Sequence, residues 1–469
     1  MSQKKLNMSR RSFFRKSAAA TGAAAACRLA TNDDYEAVAQ NVNTNSQPSD
    51  LKITDLRVCR LGTSWARWCI KIYTNQGLTG LGEIRDGSSP TYALMLKSRI
   101  LGMNPCNVDK IFRKLKQFGH AARGAAGPVS IEEACWDIAG KAWGVPCWQM
   151  LGGKFRDKIL HYADTSWERD PVAMGKKLKA RMDDHGFKFL KMDIGIQICR
   201  GIEGCITRPP ADTIDSRWTQ HPFTGIRVTD KGLDIIAEYV ATVRDIIGWE
   251  IPLASDHYGH MVVEDQIKLA QKLDQFNLAW YEDMVPWWWT EQLKRIKDNC
   301  NTPVLTGEDI YLKEDFKKLF EAQAISLCHP DLASSGGLLE TKKIGDLAQE
   351  YGIGMPMHMA GSPITMYSTV HCAAATENFM VTENHSVDDP WWEDMVTGVE
   401  KPIVNKGYIR VPDGPGLGIE LNEEVVKEHL REPGYFEPTP EFDKPIIGNS
   451  RGGPYPHIGA DGTLVNNRE

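Results

Sequence analysis

Acidic and imidazole side chains recur along this chain at intervals that can bring them to one place. Asp256, Glu282 and Glu308 are spaced 26 residues apart, and each closes a short apolar run (251–255, 278–281 and 303–307). Three like charges converging on one point are unfavourable unless a cation neutralises them. An all-oxygen ligand set favours Mg²⁺, with water and substrate completing the octahedron. Further on, Asp331 follows the run 325–330 and His358 the run 352–357. A carboxylate beside an imidazole fixes its tautomer and stabilises its charged form, which makes a stronger general base. Glu383 follows 379–382, where it can exchange a proton with a developing oxyanion. As a donor it would need a raised pKa. Lys191 and Asp193 are two apart on one predicted strand, so both can face inward, while Lys188 points elsewhere. In Asp256-His257-Tyr258-Gly259-His260 the same alternation puts Tyr258 on the face of Asp256 and His257 on the outer face.

The elements that must hold these groups follow from the spacing. Asp164, Asp193, Asp256, Glu282, Glu308, Asp331, His358 and Glu383 each end one predicted strand. One strand, one helix and their loops occupy about 25–30 residues in a (β/α)8 barrel, and barrel active sites gather at the C-terminal strand ends. Stretches with apolar residues at helical spacing lie between them, at 170–185, 232–248, 263–276, 290–299, 313–321, 337–351 and 363–375. The expected fold is therefore α/β, a TIM-like barrel over 156–400. The gap from Asp193 to Asp256 is too long for one unit and implies a lid-like insertion at about 195–230. Residues 51–155 read as an α+β capping domain, with a strand meander at 51–58, 66–73 and 79–83 and then helices. Ser130 and Glu133 read as the capping box of a helix over 130–143. Residues 401–469 are expected to return to the capping domain and end in a surface tail.

Composition excludes several classes. With 469 residues, 42% hydrophobic and 25% charged, the chain is long enough for a barrel plus a smaller domain. A net charge of −6 and no long basic run in the body argue against nucleic acid. No apolar run reaches the roughly eighteen residues of a membrane span. Arg10-Arg11 ahead of the alanine-rich stretch 17–26 reads as a twin-arginine export signal over 1–27, which predicts a periplasmic protein. Cys27, directly after Ala24-Ala25-Ala26, is a candidate lipidation site, and 28–50 reads as a disordered leader. The 11 cysteines include no CxxC pair, which argues against structural zinc. Cys199 and Cys205 are the candidates for pairing in an oxidising compartment.

Taken together, Lys191-Met192-Asp193, Ser255-Asp256-His257-Tyr258, Tyr281-Glu282-Asp283, Gly307-Glu308, Pro330-Asp331 with Gly336-Gly337, Met357-His358 and Thr382-Glu383-Asn384 resemble the enolase superfamily. Within it they resemble the mandelate racemase subgroup, over about 51–423. The resemblance implies Mg²⁺ on Asp256, Glu282 and Glu308, binding a substrate carboxylate and stabilising an enediolate. It implies His358, tuned by Asp331, as base on one face. It also implies capping-domain loops near Trp65 and Ala121 that close over the substrate. One departure shapes the reading. Racemases of the subgroup carry Lys-x-Lys on the second strand; here the second lysine is Asp193. One strong base and weaker acids elsewhere favour β-elimination of water, as in the sugar-acid dehydratases of the subgroup. Those carry a histidine two residues after the first metal ligand, where this chain has Tyr258. Tyr258, His260 and Lys191 are then the candidates to protonate the leaving hydroxyl, with His260 and Trp65 also candidates to bind substrate. The run Trp287-Trp288-Trp289 could stack on a sugar, or pack under the lid or at a subunit contact. The expected partner is a sugar acid, and the expected assembly a homo-oligomer. Epimerisation or cycloisomerisation through the same intermediate is the alternative. A non-catalytic exported binding protein is a third reading, but it would be marked by a lost ligand or base, and none is missing.

Overall fold

The computed structural model describes residues 47–62, 67–207, 226–258 and 261–445, with the short strands His457–Ile458 and Leu464–Val465. The expected export signal, Cys27, most of the leader, Trp65, His260 and residues 208–225 of the insertion lie outside the described residues. The end of the leader departs from expectation. Pro48–Asp50 form a 3-10 turn, and Asn104 Nδ2 donates to the Pro48 carbonyl at 2.6 Å.

The chain opens with an antiparallel meander of β1 (Ile53–Leu61), β2 (Arg67–Thr74) and β3 (Thr79–Ile84). Helix α1 (Val108–Leu115) follows, and then α2 (Ala126–Trp143), which lies against β3. The contact is close because Gly80 and Gly82 lack side chains. A Cβ at Gly80 would stand 2.1 Å from the Ala134 carbonyl oxygen, and one at Gly82 would stand 2.0 Å from that of Ser130. The expected capping box does not form. Helix α2 begins four residues before Ser130, straight from the 3-10 turn Ala122–Ala125, so Ser130 lies inside the helix and donates to the Gly127 carbonyl. Glu133 instead accepts the backbone N–H of Glu83, at 3.0 Å.

Eight parallel strands follow: β4 (Lys158–Ala163), β5 (Leu190–Asp193), β6 (Leu253–Asp256), β7 (Tyr281–Glu282), β8 (Val304–Thr306), β9 (Leu327–Cys328), β10 (Met355–Met357) and β11 (Phe379–Asn384). Each pairs with its chain neighbour, and β11 pairs with β4. Between β9 and β10 the ring is carried by single bridges, Leu327 with Gly354 and Asp331 with His358. Helices α3 (Pro171–Asp183), α4 (Asp230–Ile247), α5 (Val263–Leu273), α6 (Thr290–Lys297), α7 (Lys313–Glu321), α8 (Gly337–Glu350) and α9 (Pro363–Ala375) alternate with the strands. This is the barrel that the spacing of polar strand ends predicts.

The period-2 alternation of the strands layers the barrel interior. Tyr162, Phe189, Ala254, Trp280, Leu305 and Val381 form a buried apolar floor. The rings of Phe189 and Tyr162 lie 5.0 and 5.5 Å from that of Trp280. Two residues further along the same strands stand Asp164, Lys191, Asp256, Glu282 and Glu383. The polar layer therefore sits directly on an aromatic floor.

In the described part of the insertion, a 3-10 turn (Ile196–Cys199) leads to a short strand pair, Ile206–Thr207 with Arg227–Val228. Cys199 and Cys205 are buried free thiols there. After the barrel, Tyr408–Arg410 pairs outside β4, and Leu430–Tyr435 adds a fourth strand to the meander beside β1. No helix among the described residues is long and apolar enough to cross a membrane.

Candidate active site

The polar layer is centred on Lys191, which is 1% exposed. Its ammonium lies 2.5 Å from Glu383 Oε1, 3.0 Å from Asp256 Oδ2 and 3.7 Å from both Asp164 Oδ1 and Glu282 Oε2. Burial alone would discharge it, but Glu282, Glu383 and Asp256 hold its pKa well above the ordinary lysine value. The surrounding carboxylates thus favour the charged form of Lys191. Glu383 shows the converse. Burial would raise its pKa, yet Lys191, His358 and His385 keep it well below the carboxylate range. These cations favour the ionised form of Glu383, whereas a donor would need a raised pKa. Glu282, fully buried, accepts from Trp280 Nε1 at 3.0 Å and pairs with His329 Nδ1 at 2.9 Å.

On one side of this layer His358 Nδ1 meets Asp331 Oδ2 at 2.5 Å, both groups being buried. The other oxygen of Asp331 accepts the N–H of Ala333 at 2.6 Å, which caps the turn Leu332–Ser335 and fixes the carboxylate. The free ring nitrogen, Nε2, faces inward, 2.8 Å from Glu308 Oε2 and 3.6 Å from Glu383 Oε2. Burial opposes protonation of His358, but Glu308, Glu383 and Asp331 raise its pKa well above the usual imidazole range. Glu308 occupies the point at which a substrate proton would have to reach Nε2.

A second Asp–His pair faces it, and here alternation misleads. His257 has φ of 65°, a left-handed conformation that ends strand geometry at Asp256 and turns the imidazole inward. Its Nε2 lies 3.6 Å from Asp193 Oδ1 and 3.8 Å from Asp256 Oδ2. Asp256 first, then Asp193, raise its pKa to about 10. Burial, with Asp164 and Asp256, pushes the Asp193 carboxyl up to about 7. Tyr258 is displaced correspondingly. It is fully buried, its hydroxyl hydrogen-bonds Ser255 Oγ, and its ring packs edge-on to Tyr281 at 5.7 Å. Tyr258 is therefore core, and His257 holds the place expected of it.

The donors for a cation are hard oxygens. Carboxylate oxygens of Glu282, Asp283 and Glu308 come within 4.8 Å of one another, and Asp256 forms a second such group with Asp193 and His257. Asp256 and Glu282 also share Lys191 as counter-ion. Burial, then Glu308, Glu282 and Asp256, push the Asp283 carboxyl well above its ordinary range, which marks an excess of negative charge here. A divalent ion would relieve that excess, so the residues fit Mg²⁺. Asp283 could join the set.

Above these groups lies a cavity of about 470 Å³ bordered by Asp193, Asp256, His257, Asp283, Glu308 and Asp309. Trp167, Gln197, Arg200, Trp287 and Trp288 complete its apolar and hydrogen-bonding wall. Trp287 and Trp288 meet edge-on at 5.6 Å, and Trp287 and Trp289 both pack against the core. His385, which the sequence reading missed, bridges Asp164 at 3.3 Å and Glu383 at 3.1 Å. It lies two residues beyond Glu383, so alternation could have found it. Asp283 could not have been found this way, because its own φ of 47° breaks the pattern.

Comparison with known proteins gives the same outline. The family described as enolase C-terminal domain-like matches residues 173–425, and the mandelate racemase / muconate lactonizing enzyme N-terminal domain matches residues 36–152. A D-xylonate dehydratase of Haloferax volcanii is 30% identical over 391 residues, covering 82% of this chain and 90% of that protein. A D-galactonate dehydratase of Ralstonia pickettii is 26% identical, covering 86% and 99%. The crystal structure of a mandelate racemase/muconate lactonizing enzyme-like protein from Rubrobacter xylanophilus superposes with a TM-score of 0.71 at 28% identity, covering 82% and 99%.

Proposed function

The chain belongs to the mandelate racemase/muconate lactonizing enzyme family of the enolase superfamily, and on that premise we propose that it is a Mg²⁺-dependent dehydratase of a sugar monocarboxylic acid. The observation that carries the reading is the buried Asp331–His358 pair, whose Nε2 stands 2.8 Å from Glu308, itself a wall residue of the carboxylate-lined cavity at the barrel's strand ends. Similarity to the xylonate and galactonate dehydratases supports an aldonate as substrate. The cavity wall also supports a monoacid. Arg200 and His257 are the cationic side chains among its described lining residues, against five acids, Asp193, Asp256, Asp283, Glu308 and Asp309.

Asp256, Glu282 and Glu308 would hold the ion, with Asp283 adjacent. When bound, Mg²⁺ supplies positive charge to the substrate carboxylate and so acidifies the neighbouring C–H. The chain's own residues do the rest. His358 Nε2 takes the proton from C2 once Glu308 has turned away from it. Asp331 holds Nδ1–H and stabilises the imidazolium. The C2–C3 double bond forms as the C3 hydroxyl departs, and that hydroxyl takes a proton to leave as water. His257, beside Asp193 at the cavity wall, is the imidazole placed to give that proton. The enol then ketonises to a 2-keto-3-deoxy acid. Positioned acid–base groups of this kind each contribute about 10²–10⁴-fold.

The decisive experiment incubates the protein and Mg²⁺ with aldonates and aldarates and scores 2-keto-3-deoxy product. No product from any of them would reject the reading. The two facing Asp–His pairs also suit an epimerase. In D₂O, C2-deuterated sugar acid of inverted configuration, accumulating in place of 2-keto-3-deoxy product, would establish that alternative. We further propose that residues 1–27 direct twin-arginine export to the periplasm, that Cys27 is an anchor site and that the enzyme is a homo-oligomer. Fractionation of cells expressing Arg10→Lys/Arg11→Lys, lipid labelling at Cys27, and light scattering test these in turn.

A further inference from the structure

We propose that Arg85, supplied by the capping domain, is a positioning residue that completes the Asp331–His358 pair from outside the barrel, an inference that rests on His358 being the base of the reaction above. Arg85 directly follows β3 and is 4% exposed. Its Nη1 lies 2.7 Å from Asp331 Oδ2, the oxygen that also holds His358 Nδ1 at 2.5 Å. The same Nη1 donates to Ser334 Oγ at 2.9 Å and to the Glu308 carbonyl at 3.2 Å. Nε donates to Asp86 Oδ1 at 2.8 Å, and Nη2 stands 3.8 Å from both Glu308 Oε1 and Asp309 Oδ1. Nε and Nη1 are thus hydrogen-bonded and Nη2 stands in ion-pair range of two acids, which favours one orientation of the planar fork. Asp331 in turn is held by Arg85 and His358 on one oxygen and by Ala333 N–H on the other. These contacts favour one orientation of the Asp331 carboxylate and, through it, of the imidazole it grips.

The way the capping domain docks makes this contact specific. Glu83, two residues before Arg85, accepts Ser362 N–H at 2.9 Å and Ser362 Oγ–H at 2.6 Å, at the start of α9. Glu132 on α2 accepts Leu338 N–H at 2.9 Å and Leu339 N–H at 3.2 Å, at the start of α8. A carboxylate at a helix N-terminus satisfies orphan N–H groups and complements the helix dipole. Helix α8 follows the strand before Asp331, and α9 follows the strand before His358. The capping domain therefore grips the two βα units that carry the base and its partner, and places Arg85 between them. In this arrangement the base is fully oriented only when the capping domain is seated.

Two readouts test it. The first is ¹⁵N-histidine NMR of the whole protein, following the His358 Nδ1–H resonance identified by its loss in Asp331→Asn. The second is exchange of the C2 proton of an aldonate in D₂O. Arg85→Ala is expected to shift or broaden the Nδ1–H signal. It should slow exchange by about 10- to 100-fold, the usual cost of losing an outer-shell partner, through kcat and not KM. Free guanidinium should restore both. Arg85→Lys, which keeps charge without the fork, and Ser334→Ala, which loosens the fork, should fall in between; they decide the matter if Arg85→Ala does not fold. An unaltered resonance with unaltered kcat in folded variants would overturn the proposal, as would a loss confined to KM. If the wild-type protein neither dehydrates a sugar acid nor exchanges its C2 proton, the functional reading fails, and the NMR arm still tells whether Arg85 orients His358.

Discussion

The two Asp–His pairs that face each other across the carboxylate layer differ in how they are held. Asp331–His358 is buried, joined at 2.5 Å and braced by a buried arginine from another domain. Asp193–His257 stands 3.6 Å apart, and the His257 side chain is 55% exposed at the cavity wall. The first pair is dry and rigid, as suits a base that must meet one C–H bond in one orientation. The second is wet and loose, as suits a group that needs only to pass a proton to a departing hydroxyl. On the proposed mechanism the same residue types would serve two tasks because burial and bracing differ, not because their chemistry does.

The contrast can be broken most directly at His358. His358→Asn should lower both C2 exchange and water loss by about 10³-fold or more, whereas a base on the other side would leave exchange intact. Removing divalent ions with a chelator should likewise abolish turnover, with recovery on adding Mg²⁺. Activity that persists after exhaustive chelation would separate both pairs from any metal. His257→Asn should cut dehydration by about 100-fold while C2 exchange continues, and elimination of fluoride from a 3-fluoro substrate, which needs no acid, should be spared. Equal loss of exchange and elimination would make the two sides equivalent.

The smallest effect concerns the bracing of the rigid side. Burial would raise the pKa of Asp86, but Arg85 and Arg123 override it and hold it at about 2, against 3.8 normally. A depressed carboxyl pKa stabilises the fold above the unfolded value and loses that contribution as pH falls through the folded one. Asp86→Asn should therefore cost about 2 kcal/mol in urea unfolding at pH 7. The deficit should shrink between pH 4 and pH 2. A pH-independent deficit would mean that Asp86 acts through packing alone.

Legibility in the sequence followed the regularity of the backbone. Where a strand runs straight into its end, as at Asp164, Lys191, Glu282 and Glu383, period-2 counting placed the side chain inside the barrel, and it stands there. Where the backbone leaves strand geometry, counting failed. The left-handed turn at His257 exchanged the positions expected of His257 and Tyr258, and that at Asp283 hid a further carboxylate. The supposed capping box failed for another reason. Glu133 serves a strand remote in sequence, which no local pattern records.

By itself, then, the sequence determined the repeating βα units, their number and the acids that close them, because spacing and alternation are properties of a local chain. It also determined the likeness to a family that works on carbon acids. Only the tertiary structure decided which charges meet. Lys191 has its charged form favoured because four carboxylates from the ends of four other strands surround it. Arg85 reaches Asp331 only because a separate domain docks on helices α8 and α9. Electrostatic energies depend on distance and burial, and neither is written along the chain until it has closed into a barrel.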